Sequence, residues 1–245
     1  LYTITGYQVI SFNTLLRMMW LRRNVPDALD RAHAWLMMPG LLAHKLTGEF
    51  HIEPTSASTT MAMDLRRRDW SGRLLELADM DAGAFPRWCE PGDVIGEVSG
   101  DAGRLCNLRR GTPVVASGHD TQFALLGSGV KSKEAVLSSG TWEILEVRHP
   151  RFRPNKTGFR GGIIYEADAQ PGLWDPQLLM MGSAVLEWIR GKFYPNQECE
   201  GYGSMIREAS QVPVGSEGVT IVPSFVSDSG PTRRFRTKGT VLGLG

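Results

Sequence analysis

The chain has 245 residues, a net charge of +1, 42% hydrophobic and 22% charged residues, values of a soluble globular protein with room for one large domain or two ordinary ones. A charge so close to zero gives no reason to expect nucleic acid or a membrane surface as partner, and no apolar run approaches the roughly 20 residues of a membrane helix. The three cysteines, Cys89, Cys106 and Cys199, stand far apart with neither disulfide nor metal spacing, so reduced thiols in a cytoplasmic protein are expected, and no metal site.

In chain order, Phe12, Leu15, Leu16, Met19 and Trp20 recur at helical spacing within residues 11–24. They predict an amphipathic helix with Ser11 as its cap and Pro26 beyond its end. Asp27 to Arg31 predicts a further helical turn, and "AWLMM" (34–38) a strand or buried segment. "GLLAHKLTGE" (40–49) predicts a helix stopped by Gly48. The Ser- and Thr-rich residues 51–64 show no clean period and predict a loop; 71–80 predicts a helix, and 81–111 turns and short strands.

The β-branched run Thr112 to Ser117 predicts a buried strand, and Thr121 to Leu126 the first turns of a helix. Asp120 is thereby placed at a strand-to-helix junction. Two roles suit it: capping the helix, or facing a ligand, because strand carboxyl ends are where ligands bind in open α/β sheets. His119 beside it suits either a structural hydrogen bond or contact with a polyol. Two β-prone runs in 134–148 flank Ser-Ser-Gly-Thr and predict a hairpin. Its tip, Ser139, Gly140 and Thr141, offers backbone N–H groups and hydroxyls to an anion, or is an ordinary turn. A carboxylate at a strand end followed by such a tip suits phosphoryl transfer, in which the carboxylate accepts a hydroxyl proton and donors hold the phosphate oxygens.

Residues 149–172, rich in Gly and Pro, predict a surface excursion. The run 177–194 predicts a core helix with Leu178, Met181, Val185, Ile189 and Phe193 on one face; 203–212 predicts another helix, and "GVTIVPSF" a strand. The mixture defines an α/β protein. His33, His44, His51 and His149 have no metal spacing, and the Arg66–Arg68 and "RRFR" (233–236) runs suit solvated faces. The start at Leu1 and the alternating "GTVLGLG" end lead us to expect the middle of a longer protein.

At several of these places the chain resembles the FGGY family of carbohydrate kinases. "FNTLLRMMWLRRN" (12–24) follows a family signature, with Arg17 where the signature has Lys; "LTGEF" (46–50) and "TMAMD" (60–64) match further blocks in order. "SGHDTQFALLGSG" (117–129) matches the segment with the catalytic aspartate, "LSSGTW" (137–142) a phosphate loop, and "GTVLGL" (239–244) the opening of a second signature. The resemblance implies an actin-like ATPase fold of two ribonuclease-H-like domains, present here in part. Residues 1–128 would be the later part of the N-terminal, sugar-binding domain, and residues 129–245 the early part of the nucleotide-binding domain. The family's Asp-x-Gly-x-Thr/Ser phosphate loop and its adenine loop are absent from the chain, so this piece alone is expected to be inactive.

The resemblance further implies transfer of the γ-phosphoryl of ATP, with Mg2+, to the 1-hydroxyl of L-fuculose. L-Rhamnulose or another deoxyketose is an alternative acceptor, and a non-catalytic sugar-binding remnant an alternative function. Asp120 would be the general base, His119, Asp120 and Gln122 would bind the sugar, and Ser139, Gly140 and Thr141 the ATP phosphates. The partners would be the sugar and ATP; a homo-oligomer is compatible with this reading.

Overall fold

The computed structural model describes residues 1–131, 134–140, 142–195, 201–226 and 238–244. Thr141, Cys199 and the Arg-rich segment 233–236 lie outside the described residues. The chain forms two compact units, one of Leu1–Val136 and Glu146–Leu178, the other of Leu137–Leu145 and Leu179–Gly245.

The first unit begins with the short helix α1 (Tyr2–Thr5), closed by Gly6 at φ 69°. A Cβ at Gly6 would lie 2.6 Å from Tyr165 Cβ, so only glycine suits this left-handed, closely approached position. Helix α2 (Thr14–Asn24) buries Leu15 and Met18. The expected face is only partly used: Phe12 and Trp20 are exposed, because the buried stripe is one residue pair wide at i and i+3. Its cap is Asn13 rather than Ser11; the Ile10 N–H donates to Asn13 Oδ1 at 2.7 Å. After α3 (Pro26–Asp30), residues 34–38 are neither the strand nor the buried segment expected: they are half-buried with Met38 exposed, Trp35 N–H reaches Ala84 O at 2.8 Å, and Met38 already opens a helix. That helix, α4 (Met38–Thr47), stops at Gly48, φ 85°, as its sequence requires.

Residues 51–64 are not a loop. They hold α5 (Pro54–Ser58), buried along its whole length. Hydroxyl-rich residues tolerate this burial by bonding locally: Ser58, Thr59 and Thr60 each donate to the carbonyl three residues back, at 2.7, 2.8 and 2.6 Å. Strands β1 (Met63–Asp64) and β2 (Asp69–Trp70) pair antiparallel. The helix expected over 71–80 is shorter, α6 (Gly72–Leu75) running into a tighter turn at Glu76–Ala78. Strand β3 (Val94–Glu97) is followed by α7 (Gly100–Cys106), a helix that its sequence hid; Ser99 Oγ caps it from the Ala102 N–H at 3.2 Å. Strand β4 (Pro113–Val115) pairs antiparallel with β3 in a two-stranded sheet. With one neighbour it is not the buried strand expected: Val115 is exposed, and burial begins only at Ala116. Helix α8 (Asp120–Gly127) follows.

The hairpin is present as β5 (Ala135–Ser139) and β6 (Trp142–Val147). Residues 149–172 are no surface excursion. Phe152 is buried, α9 (Lys156–Gly161) follows, and β7 (Ile164–Ala167) is buried at every residue. The expected helix over 177–194 divides: β8 (Trp174–Met181) is a strand, and the helix α10 (Ser183–Phe193) begins only after Gly182. These strands run in the order β5-β6-β8-β7, with β7 antiparallel to β8. Tyr2, Ile52, Ala57, Met63, Leu65, Phe152, Tyr165 and Ala167 form a core of the first unit. In the second unit α10 is followed by α11 (Gly201–Ala209), and β9 (Thr220–Val222) pairs antiparallel with β10 (Thr240–Leu242).

Candidate active site

The site is built around the turn from β4 into α8. Its foundation is Glu53, which caps α5 and is buried. Glu53 Oε2 accepts from the Thr55 N–H at 2.7 Å and the Thr55 hydroxyl at 2.6 Å, and Oε1 from the Ser56 N–H at 2.8 Å. The same Thr55 oxygen accepts the His119 N–H at 2.8 Å. Gly118 allows this approach: a Cβ there would fall on Thr55 Oγ1 and 2.6 Å from the Glu53 carboxylate. Helix α5, which its sequence did not reveal, thus holds the turn ahead of Asp120.

Asp120 is the first residue of α8, and its side chain is 98% exposed. Its Oδ1 accepts the N–H of the adjacent Thr121 at 2.9 Å. The cap position belongs to His119, which makes no side-chain cap bond. Asp120 is therefore not the helix cap, and its carboxylate stands open. His119 Nδ1 lies 3.6 Å from Asp120 Oδ1 and has no hydrogen-bond partner.

Both residues line a cavity of about 570 Å³, within the range of small-molecule sites. Its lining mixes polar and apolar side chains. Thr14, Ser56, Thr59, Ser117, His119 and Asp120 are polar; Phe12, Met37, Met38, Pro39 and Leu42 are apolar. Tyr7 also lines it. The Tyr7 hydroxyl donates to Glu166 Oε1 at 2.7 Å. Burial, and then the Glu166 carboxylate, push the Tyr7 hydroxyl well above its ordinary pKa and keep it a donor.

Gln122 does not line the cavity. It is buried on α8, its amide donating to Glu166 Oε2 and its Oε1 left without a partner. Beside Glu166 lies a group of crowded carboxylates. Asp175 stands opposite it on β8, and Glu146 is buried on β6. Neither carboxylate oxygen of Glu146 or of Asp175 meets a hydrogen-bond donor. Burial first, then neighbouring carboxylates, push Glu146 up to about 8; burial, then a hydrogen bond shared with Asp168 and the nearby carboxylates, push Asp175 up to about 10. Asp168 is the exception. Burial opposes its charge, but the Arg148 guanidinium, at 2.6 and 2.7 Å, holds it below the usual range.

In the second unit Ser139 and Gly140 are exposed at the hairpin tip. Ser139 Oγ donates to Glu143 Oε1 at 2.8 Å, the Gly140 N–H donates to Trp142 O at 2.9 Å, and Gly140 O accepts the Ser183 N–H at 2.9 Å. The tip therefore abuts the start of α10. Both the Gly140 N–H and the Ser139 hydroxyl are engaged within the second unit. Among the described residues no cluster of three or more His, Cys, Asp or Glu is arranged to hold a metal ion. Mg2+ binds in kinases through substrate phosphates and one or two carboxylates, keeping several waters.

A polar-and-apolar cavity with an open carboxylate on an α/β scaffold is the arrangement of a small-molecule site. In fold, a xylulose kinase from Rhodospirillum rubrum superposes with a TM-score of 0.83 at 21% identity, over 100% of this chain and 49% of that one. It is the actin-like ATPase fold, present in part.

The N-terminal domain model of the FGGY family of carbohydrate kinases matches residues 1–127, and the chain belongs to that family. L-Fuculokinase of Escherichia coli K12 is 41% identical over 93% of this chain and 48% of its own length. Autoinducer-2 kinase of the same strain is 31% identical over 96% of this chain and 44% of its own length. The chain thus spans about half the length of the curated relatives it matches.

Proposed function

We propose that the protein carrying this chain is an ATP-dependent deoxyketose kinase that transfers the γ-phosphoryl of ATP to the 1-hydroxyl of L-fuculose. The observation that supports the reading is the cavity, lined by an open carboxylate and several hydroxyls together with the apolar Phe12, Met37, Met38, Pro39 and Leu42. A deoxysugar has the same mixture: hydroxyls along most of its length and an unoxygenated methyl at one end. Phe12, Met38 and Leu42 leave much of their surface uncovered, and a methyl group placed against them gains by leaving water.

Asp120 is the general base. It takes the proton of the 1-hydroxyl as the oxygen attacks the γ-phosphorus; the bond to the bridging oxygen breaks, and ADP leaves with that electron pair. Mg2+ supplies charge neutralisation of the phosphates when it is bound with ATP. His119 contacts the sugar from the cavity wall, and Gln122 serves the sugar side through the buried bonds that fix the helix carrying Asp120. Ser139, Gly140 and Thr141 hold the ATP phosphates. We assign residues 1–128 to the sugar-binding domain and residues 129–245 to the nucleotide-binding domain. Among the described residues no helix is long and apolar enough to cross a membrane; we place the enzyme in the cytoplasm.

The test is a coupled ADP-release assay of the full-length protein with L-fuculose, L-rhamnulose, D-xylulose and glycerol. L-Fuculose should give the highest kcat/KM. A preference for glycerol or D-xylulose, which lack the terminal methyl, overturns the deoxysugar reading; a preference for L-rhamnulose keeps the class and changes the sugar.

A further inference from the structure

We propose that Glu166 is a positioning residue for the sugar cavity: one buried carboxylate holds the Tyr7 wall with one oxygen and the helix carrying Asp120 with the other. The inference rests on the kinase reading above and adds to it a residue on a different strand from the reacting groups.

Glu166 lies on β7 and is 1% exposed. Its two oxygens accept from two distant segments: Oε1 from the Tyr7 hydroxyl and Oε2 from the Gln122 amide. Two accepted bonds on two oxygens suit the carboxylate form, which is acceptor only. Bonds of this kind are among the stronger ones, because the acceptor is charged and the surroundings are dry. Tyr7 is part of the cavity lining, and Gln122 lies two residues after Asp120 on the same helix. The backbone adds a second tie at the same level, the Tyr165 N–H donating to Gly6 O at 2.9 Å. Strand β7 therefore grips the wall segment twice, at Gly6 and at Tyr7, and the Asp120 helix once.

Glu166 is surrounded by acids: Asp175 opposite on β8, Glu146 on β6 and Asp168 two residues on, the last neutralised by Arg148. Of these buried carboxylates, Glu146 and Asp175 have no donors, whereas Glu166 is engaged on both oxygens. Asp168 is also bonded on both oxygens, by Arg148, but the donors to Glu166 are the ones that come from the cavity wall and from the Asp120 helix.

The test compares variants of the full-length protein. In Glu166→Ala, kcat with L-fuculose should fall by about ten- to a hundredfold, because small misplacements of a catalytic group have effects of that order. In Glu166→Gln the loss should be largely rescued. Tyr7 can still donate to the amide oxygen, and Gln122 can turn its unpartnered Oε1 toward the new NH2 group. A purely structural role predicts a lower melting temperature in both variants but parent-like kcat per folded molecule well below melting. That result in Glu166→Ala overturns the proposal. If Glu166→Ala does not fold, Tyr7→Phe decides: it removes one hydroxyl, should raise KM for the sugar, and leaves the proposal overturned if KM and kcat both stay at parent values. A parent protein with no sugar kinase activity overturns the kinase reading itself, and is distinguished because it is seen before any substitution is made.

Discussion

Two regions of the first unit bury carboxylates and treat them oppositely. Beneath the cavity turn, Glu53 meets three donors, all from residues two or three positions further along the chain. Between β6 and β8, Glu146 and Asp175 meet none. Burial of a charge is tolerable only when partners replace water. Glu53 has them and can serve as a rigid foundation. Glu146 lacks them and Asp175 has only the neighbouring Asp168 carboxylate, and the same penalty is avoided by holding protons instead. One region is organised by charge and hydrogen bonds, the other by suppression of charge, and the difference predicts how each responds to substitution and to pH.

The largest expected effect is on rate, at the group that the Glu53 region supports. Asp120→Asn should keep the melting temperature and nucleotide affinity but lower kcat at least about a hundredfold, the low end for a general base. Turnover near the parent rate would mean that the support beneath Asp120 serves something other than its chemistry.

Next is the foundation. Glu53→Ala leaves three donors without their acceptor and should cost about 3 kcal/mol in denaturant unfolding, since charged hydrogen-bond partners are worth roughly 1.5–3 kcal/mol. A loss below about 1 kcal/mol would erase the contrast with the unpartnered acids.

Gly118→Ala probes the same support from the other side. Its Cβ collides with Thr55 and Glu53, and forced overpacking costs about 1–3 kcal/mol. Restored stability in Gly118→Ala/Thr55→Ser, without relief elsewhere, would place the strain at a different contact.

The smallest effect lies in the slope of stability with pH. Glu146 is pushed up to about 8 in the folded protein from an ordinary 4.5. A raised acid pKa means that the folded chain holds a proton the unfolded chain has released. Stability from this group is therefore complete below about pH 4.5 and declines as pH rises toward 8. Asp175, at about 10 against 3.8, extends the decline further. Melting temperature should fall between pH 5 and 8, and Glu146→Gln, which is neutral throughout, should flatten that fall. An unchanged slope in Glu146→Gln would show that Glu146 is charged in the folded state and that the two regions do not differ as described.

The sequence revealed α4, the hairpin and the Asp120 turn because each depends on local rules: Gly48 as a left-handed stop, β-branched runs around Ser-Ser-Gly-Thr, a motif of contiguous residues. The errors share a cause as well. "QLLMMGS" reads equally well as strand or helix, and only the backbone at Gly182, φ −106° and ψ −100°, separates β8 from α10. Residues 51–64 look like a loop until their hydroxyls are seen to turn back onto their own carbonyls. At the candidate site, the sequence singled out Asp120 and His119, and both line the cavity. Glu53 was not, because its effect passes through Thr55 to a residue 64 positions away. Tyr7 was not, because the partner that gives it meaning is 159 positions away. Those distances belong to the fold and leave no local pattern.

The tie between Tyr7 and Glu166 also sets an order of events. A ribosome adds about 5–20 residues per second, so the 159 positions between them correspond to roughly 8–32 s of synthesis. For that interval the wall of the cavity has been made but its anchor has not. Loop closure over so long a span is slow as well as late. The nascent wall, with the large apolar groups Phe12, Trp20 and Met38 nearby, is exposed to other proteins throughout. The cavity wall can therefore be held in place only on chains whose synthesis has passed β7, and a ligand of the cavity would report that point.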